Sequence, residues 1–284
     1  MDFFWHLLAV SAIQLPVTLG VNLTFGRAKL LAFGHVGVSL VSAYATFLTL
    51  RATGSYALAV LAGMLAALLL SAVMAWLALR LEPDGLAVLT IAVHFILLAI
   101  VLNWTSVTRG ALGLPGLPRP LGLDALPAYA LLCLVVAGLW AWALSRFDRS
   151  RLGRQVTALA EHPAAAAALG IRRSHALLIV FLLAGLGSAL SNVLYPPYIH
   201  LLHPNDYAFT AMLVAMTLVI AGRPGHVWGV TFATFGITFV REGLRFLSLP
   251  AAVLGPMRLL LFGSILLLAV WLRRATIFPV QRKL

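Results

Sequence analysis

This sequence predicts an all-α fold, a polytopic transmembrane helical bundle of about eight to nine spans. Three observations carry that expectation. Of the 284 residues, 62% are hydrophobic and only 10% are charged, whereas a soluble domain is roughly 45–50% apolar and about 25% charged. Apolar runs close to the ~20 residues that cross a bilayer recur from end to end. The Lys and Arg residues sit between those runs, the distribution that membrane orientation produces. Helices are the economical choice for such runs, because a backbone in lipid must satisfy its hydrogen bonds within the segment. No stretch is long and polar enough for a soluble domain, so residues 1–284 read as one membrane domain.

The first span, 3–24, contains Pro16, which should kink it. It follows Asp2 without a basic n-region, so it reads as a retained helix rather than a signal peptide. The second, 33–50, is short and rich in small residues, and is either a plain span or a broken, re-entrant one. Spans at 55–79 and 86–103 follow. Residues 104–127 are punctuated by Gly110, Gly113, Pro115, Gly116, Pro118 and Pro120 and should form an irregular cap. The fifth span, 128–146, leads into the segment 147–174, RFDRSRLGRQVTALAEHPAAAAALGIRR. That segment is basic at both ends and alanine-rich between. Alanine favours helix, and Pro163 and Gly170 divide the run, so a short helix-turn-helix at the membrane surface is expected. Spans at 175–195, 207–222, 227–246 and 255–272 complete the chain, and the seventh is again short enough to be broken.

Charge sets the orientation. With 147–174 in the cytoplasm, alternation places most of the 20 Lys and Arg inside and leaves Arg51, Arg109, Arg119, Arg241, Arg245 and Arg258 outside. The same dispersal argues against a nucleic-acid partner despite the net charge of +12. Cys133 is the only cysteine and lies in an apolar run, so neither an internal disulfide nor a cysteine metal cluster is available. His200 and His203 flank an external loop; a polar loop is the bland reading of the pair, and no metal site is expected.

The energy source can also be narrowed. Asp2, Glu82, Asp84, Asp124, Asp148, Glu161, Asp206 and Glu242 all fall in loops or at span ends. A proton-coupled carrier usually keeps an acid in mid-membrane, where an ionised side chain is expensive and functional. A phosphate-binding loop needs a lysine after its glycines, and the only lysines are Lys29 and Lys283, neither in such a loop. No catalytic set is visible, neither G-x-S-x-G nor H-E-x-x-H. Active transport would therefore draw its energy from another polypeptide, with 147–174 as the docking segment. The alternative is a self-contained secondary transporter or facilitator for a small polar solute.

Four blocks resemble the permease subunits of branched-chain amino acid ABC importers, specifically the M-type, LivM-like subunit. The first is LGVNLTFGRAKLLAFGHVGVSLVSAY, residues 19–44, against a pattern L-G-x-N-L-x-x-G-Y-A-G-Q-L-S-x-G-H; Gly20, Asn22, Gly26, Ala28, Leu31, Gly34, His35, Ala43 and Tyr44 fit. The second is TRGALGLPGLP, residues 108–118, where Thr108, Gly110, Gly113, Leu114, Gly116 and Pro118 fit. In the third, residues 153–171, Gly153, Arg154, Ala158, Glu161, Ala168, Leu169, Gly170 and Ile171 carry the match. In the fourth, GRPGHVWG at 222–229, Gly222, Gly225, Trp228 and Gly229 do. The chain departs from the pattern where Lys29-Leu30 stand for Gly-Gln, Ala32 for Ser, Arg109 for Gly, Leu112 for Asn and Arg223 for Gly. An acid expected in the fourth span is replaced near His94-Phe95.

The resemblance implies a multi-pass permease of the bacterial inner membrane. It also implies a second, H-type permease subunit, two cytoplasmic ATPase subunits that bind the ATP, and a periplasmic substrate-binding protein. Gly153, Arg154, Ala158, Glu161 and Gly170 would belong to the coupling loop seated in an ATPase; a solvated surface is the plain alternative. Asn22, Gly34, His35 and His94 are candidates for the translocation path. Against that stand an interhelical hydrogen bond for Asn22, close helix packing for Gly34, and packed neutral histidines for His35 and His94.

Overall fold

The structure, a computed structural model, describes residues 2–243 and then 257, 260, 263–265 and 267–271. The first helix, α1 (Asp2–Val21), runs through Pro16 and continues as a π-helix, Asn22–Arg27. A loop then leads to α2 (His35–Thr53), α3 (Tyr56–Arg80) and α4 (Pro83–Asn103). The cap that follows holds the single turn α5 (Thr105–Thr108) and the strand β1 (Leu114–Pro115). After it come α6 (Leu126–Arg149), the short α7 (Arg151–Glu161) and α8 (Pro163–Ala168), and the long α9 (Arg173–Ile199). The strand β2 (Leu201–Leu202), α10 (Phe209–Ala221) and α11 (Val227–Gly243) complete the described elements. We call the end carrying residues 104–125 the cap end and the end carrying 147–174 the basic end.

Six of these helices are long and apolar enough to cross a membrane, among the described residues. At 25 residues, α3 spans about 38 Å at 1.5 Å per residue, more than the ~30 Å hydrocarbon core. By contrast α10 has only 13 residues, about 20 Å of helix. The seventh expected span is thus a partial crossing, and α11, at 17 residues, is marginal. The expected ninth span, 255–272, lies for the most part outside the described residues. The second is not re-entrant: α2 is continuous over 19 residues, and the break precedes it at residues 28–34.

The bundle is held by small residues turned inward. Along α3, Ala59, Gly63, Ala67, Ser71 and Ala75 are buried at four-residue intervals, while Leu61, Leu65, Leu69, Val73 and Trp76 are exposed. The backbone can approach its neighbours on the first face, and the second offers an apolar surface to lipid or another subunit. The approach is close. A Cβ placed on Gly63 would lie 1.9 Å from the Thr46 hydroxyl of α2, and one on Gly187 of α9 would lie 2.4 Å from the Pro16 carbonyl of α1. Ser42 Oγ donates to Gly63 O at 3.1 Å across the same α2–α3 contact.

At the cap end the second motif block takes part in the packing. There β1 pairs antiparallel with β2, Leu114 opposite Leu202, so the expected irregular cap contains one short ladder. The Thr108 hydroxyl donates to the carbonyl of Val101 or of Trp104, at 2.6 and 2.8 Å. His200 Nδ1 meets Leu117 O at 3.0 Å, and His203 Nδ1 accepts the Asn205 N–H at 3.2 Å, so both histidines have local structural partners. Toward the basic end Arg80 lies over Trp76 and Arg146 over Trp142, with 4.9 and 6.0 Å to the ring centroids. Pairs of this kind suit the membrane interface. Lys29, Arg109 and Arg223 have φ of 53°, 61° and 74°. These are the three positions where the family pattern has Gly, which adopts the left-handed region without strain.

Candidate translocation path and its floor

A cavity of about 480 Å³ lies between α1, α2, α9, α10 and α11. Its wall is apolar at Val10, Ile13, Val17, Val36, Met212 and Ala215, and polar at Gln14, Ser39, Ser191, Asn192 and Thr210. Along it run the short α10 and the 3-10 turn Pro204–Tyr207 that precedes it.

Charged groups gather where the cavity meets the cap end. Glu242 is 4% exposed. Its Oε1 accepts from Arg241 Nε at 3.0 Å, and its Oε2 lies 3.6 Å from His6 Nε2. His6 Nδ1 in turn bonds the Tyr198 hydroxyl, and Asp206 and Tyr207 line the same region. Glu242 reads from sequence as an interface anchor paired with Arg245. In the structure it is a buried acid on the cavity wall, and Arg245 lies outside the described residues.

At the other end the cavity has a floor built from the motif blocks. His35, at the first position of α2, is 4% exposed and lines the cavity. Its ring stacks on Phe181 at 6.0 Å, and its Nε2 lies 3.0 Å from Thr24 Oγ1. The satisfying group is therefore a side-chain hydroxyl of the π-helix rather than a main-chain carbonyl. Thr24 has one proton; when it goes to Val21 O, 3.1 Å away, the imidazole Nε2–H donates to Thr24. Nδ1 is buried with no hydrogen-bond partner among the described residues. Gly34 faces Met74, whose Cε would stand 2.8 Å from a Cβ there.

Asn22, also buried, reaches across to the α10–α11 turn, where its Oδ1 accepts the Gly225 N–H at 2.8 Å. A Cβ on Gly26 would lie 2.1 Å from Gly225 N, and one on Gly229 would lie 2.2 Å from Gly222 O. The first and fourth sequence blocks, distant in the chain, thus form one contact with no room for side chains. Neither block shows this by its own spacing.

The third block adjoins the same place. Arg27, the last π-helix residue, points Nη2 at Asp148 Oδ2 (2.8 Å) and donates Nε–H to Asp148 Oδ1 (3.1 Å), with Nη1 3.4 Å from Thr157 Oγ1. Residues 151–168 form two short helices divided at His162, as the helix-turn-helix expectation has it. Gly153 is buried, and a Cβ on it would lie 2.3 Å from Phe147 O. Arg154 and Glu161 are exposed, Ala158 is half-buried, and Gly170 is exposed with φ 75°.

His94 lies apart from this floor. It is fully buried in α4 beside Gly37 of α2, both its ring nitrogens lack partners among the described residues, and it is not among the cavity-lining residues. Arg27, Asp148, His6 and Tyr198 were not singled out in the sequence. Their roles depend on contacts between distant segments, and the only local signal was the position of Arg27 inside a motif block.

A membrane-spanning helical bundle around an internal polar-and-apolar passage is the architecture of a membrane permease. The chain belongs to the family of branched-chain amino acid transport system permease components, which matches residues 4–270. It is 24% identical to the high-affinity branched-chain amino acid transport system permease protein LivM of Escherichia coli, over 96% of this chain and 69% of that protein. It is 26% identical to the autoinducer 2 import system permease protein LsrC of Photorhabdus luminescens, over 86% of this chain and 72% of that one. No solved structure matches the chain. It is a permease subunit of an ABC importer, and that family implies ATPase and substrate-binding partners.

Proposed function

We propose that this permease carries branched-chain or related amino acids across the bacterial inner membrane by ATP-driven alternating access. A second, H-type permease subunit would complete the channel. Two cytoplasmic ATPase subunits would bind the ATP, and a periplasmic protein would deliver the solute. In this reading the chain holds no cofactor and catalyses no covalent step. Residues 147–174 are the coupling loop, with exposed Arg154 and Glu161 on the surface that meets an ATPase and Gly153, Ala158 and Gly170 shaping it. Asn22, Gly34 and His35 serve the path at its floor. His94 retains the role of a second intramembrane group, set back behind α2.

The observation that carries the reading is the cavity itself. Ionisable groups stand at its two ends, His6 and Glu242 at one and His35 at the other, with a wall of mixed apolar and neutral polar residues between them. An amino acid with an aliphatic side chain presents the same mixture. The test is co-purification of the solubilised chain, comparing wild type with the Arg154→Glu, Glu161→Lys double variant. ATPase subunits should accompany the wild type and be lost from the variant. Equal recovery of ATPase subunits with wild type and variant would show that Arg154 and Glu161 do not lie on the docking surface.

A further inference from the structure

We propose that Arg27 is a positioning residue for transport. Through Asp148 and Thr157 it fastens the π-helix to the coupling segment, so that movement of that segment is delivered to the floor of the cavity. The proposal rests on 147–174 being the coupling loop.

The contact between Arg27 and Asp148 is two-pronged. Arg27 Nη2 and Nε meet separate oxygens of the Asp148 carboxylate, at 2.8 and 3.1 Å, and the two side chains are only 24% and 15% exposed. Fork-on-carboxylate geometry fixes direction as well as distance. A single point charge would not couple two segments so rigidly. Asp148 closes α6 immediately before α7, and Thr157 lies within α7, so one guanidinium holds both sides of the α6–α7 corner.

The other side of the latch is a π-helix. Ala28 N–H donates to Leu23 O at 3.1 Å, an i→i+5 bond. A π-turn carries one residue more than the α-turn it replaces, and such turns recur at functional sites. In this proposal the extra residue is what lets the turn take up a displacement of the coupling segment, since reversion to α geometry would shift Arg27 relative to Asn22 and Thr24. Two further side-chain contacts leave the π-helix. Thr24 meets His35, which lines the cavity, and Asn22 meets Gly225 in the turn that joins α10 to α11. The route from α7 to the cavity is thus continuous: Thr157 and Asp148, Arg27, the π-helix, then His35 on one side and the α10–α11 turn on the other.

The experiment uses the importer assembled with its ATPase subunits in proteoliposomes. Cys133→Ala removes the native thiol, and Gln14→Cys places a reporter on the cavity wall. Labelling of that cysteine by a membrane-impermeant maleimide is compared with and without vanadate trapping of ATP, alongside ATP hydrolysis. In the reporter background, trapping should change the labelling rate. With Arg27→Gln or Asp148→Asn added, ATP hydrolysis and subunit assembly should persist, while the trapping-induced change shrinks about tenfold. The exchanged pair, Arg27→Asp with Asp148→Arg, should restore it.

An unchanged response in both single variants overturns the proposal. So does a response that falls only in step with assembly or hydrolysis, with no recovery in the exchanged pair, which would make the pair a structural brace. If no ATPase assembles with the reporter chain itself, the coupling reading fails, and the latch proposal goes with it.

Discussion

Asn22 Oδ1 and Gly225 N lie 2.8 Å apart and join the inner turn of the first helix to a turn late in the chain. The bond is part-buried, with Asn22 3% exposed and Gly225 half-buried. Asn22→Ala should remove this bond and lower stability by about 0.5–1.5 kcal/mol. Thermal unfolding in detergent reads the loss. Gly225→Ala should be comparably harmful, since Gly225 has φ of 82°, a conformation that costs an L-residue roughly 1–2 kcal/mol.

The left-handed positions make a prediction of opposite sign. Lys29, Arg109 and Arg223 are exposed and have positive φ. Replacing each by Gly relieves backbone strain but enlarges the freedom of the unfolded chain, and the net gain should be about 0.5 kcal/mol apiece. A rise in melting temperature for Lys29→Gly and Arg223→Gly, additive in the double variant, is the expected result. A fall would show that these side chains make contacts that outweigh the strain.

Those three residues also mark how far the sequence could be read. Composition and apolar runs disclosed the membrane bundle, because burial of small residues and exposure of large ones follow from bilayer physics, as α3 illustrates residue by residue. Motif blocks singled out Asn22 and His35 as path candidates and Gly153 as part of a coupling loop. What they could not disclose was that Asn22 meets Gly225 or that Arg27 meets Asp148, because such pairings are created by three-dimensional closure and leave no periodic trace. The setting of Glu242 was hidden for a related reason. Its place near the end of a hydrophobic run suggested an interface, but α11 packs so that this end turns toward His6 and the cavity. The short α10 was likewise legible as a short run, but not the cavity that it borders.

The α2–α3 contact offers a sharper test of packing. Gly63→Ala should collide with the Thr46 hydroxyl and destabilise by about 1–3 kcal/mol, the usual penalty of overpacking. Thr46→Ala removes the obstruction together with the bond from its own hydroxyl to Ser42 O, 2.8 Å away. The double variant should recover much of what Gly63→Ala loses. A double-mutant cycle on thermal unfolding would then show a coupling of about 0.5–3 kcal/mol, as residues in contact do. Additive effects would mean that α3 shifts away from α2 at little cost and that the close approach is not what secures the pair.

His35 poses the question of path against packing most directly, and Thr24 supplies the means to separate them. Thr24→Val keeps the shape of the side chain and removes only the hydroxyl that meets His35 Nε2. If His35 is a packing group, leaving its nitrogen unsatisfied should lower stability by about 1–3 kcal/mol. Transport by the surviving folded protein would then remain near normal. If His35 works in the path, the ring loses its fixed orientation at the cavity floor, and uptake should fall by more than the folded fraction explains. His35→Gln in a Thr24 wild-type background completes the comparison, because the amide can still bond the hydroxyl but lacks the aromatic face that stacks on Phe181. The measurement is uptake of radiolabelled leucine normalised to folded importer, paired with unfolding temperature for each variant. Loss of uptake in both variants at nearly constant folded yield assigns His35 to the path. Loss that follows stability alone assigns it to packing between α2 and α9.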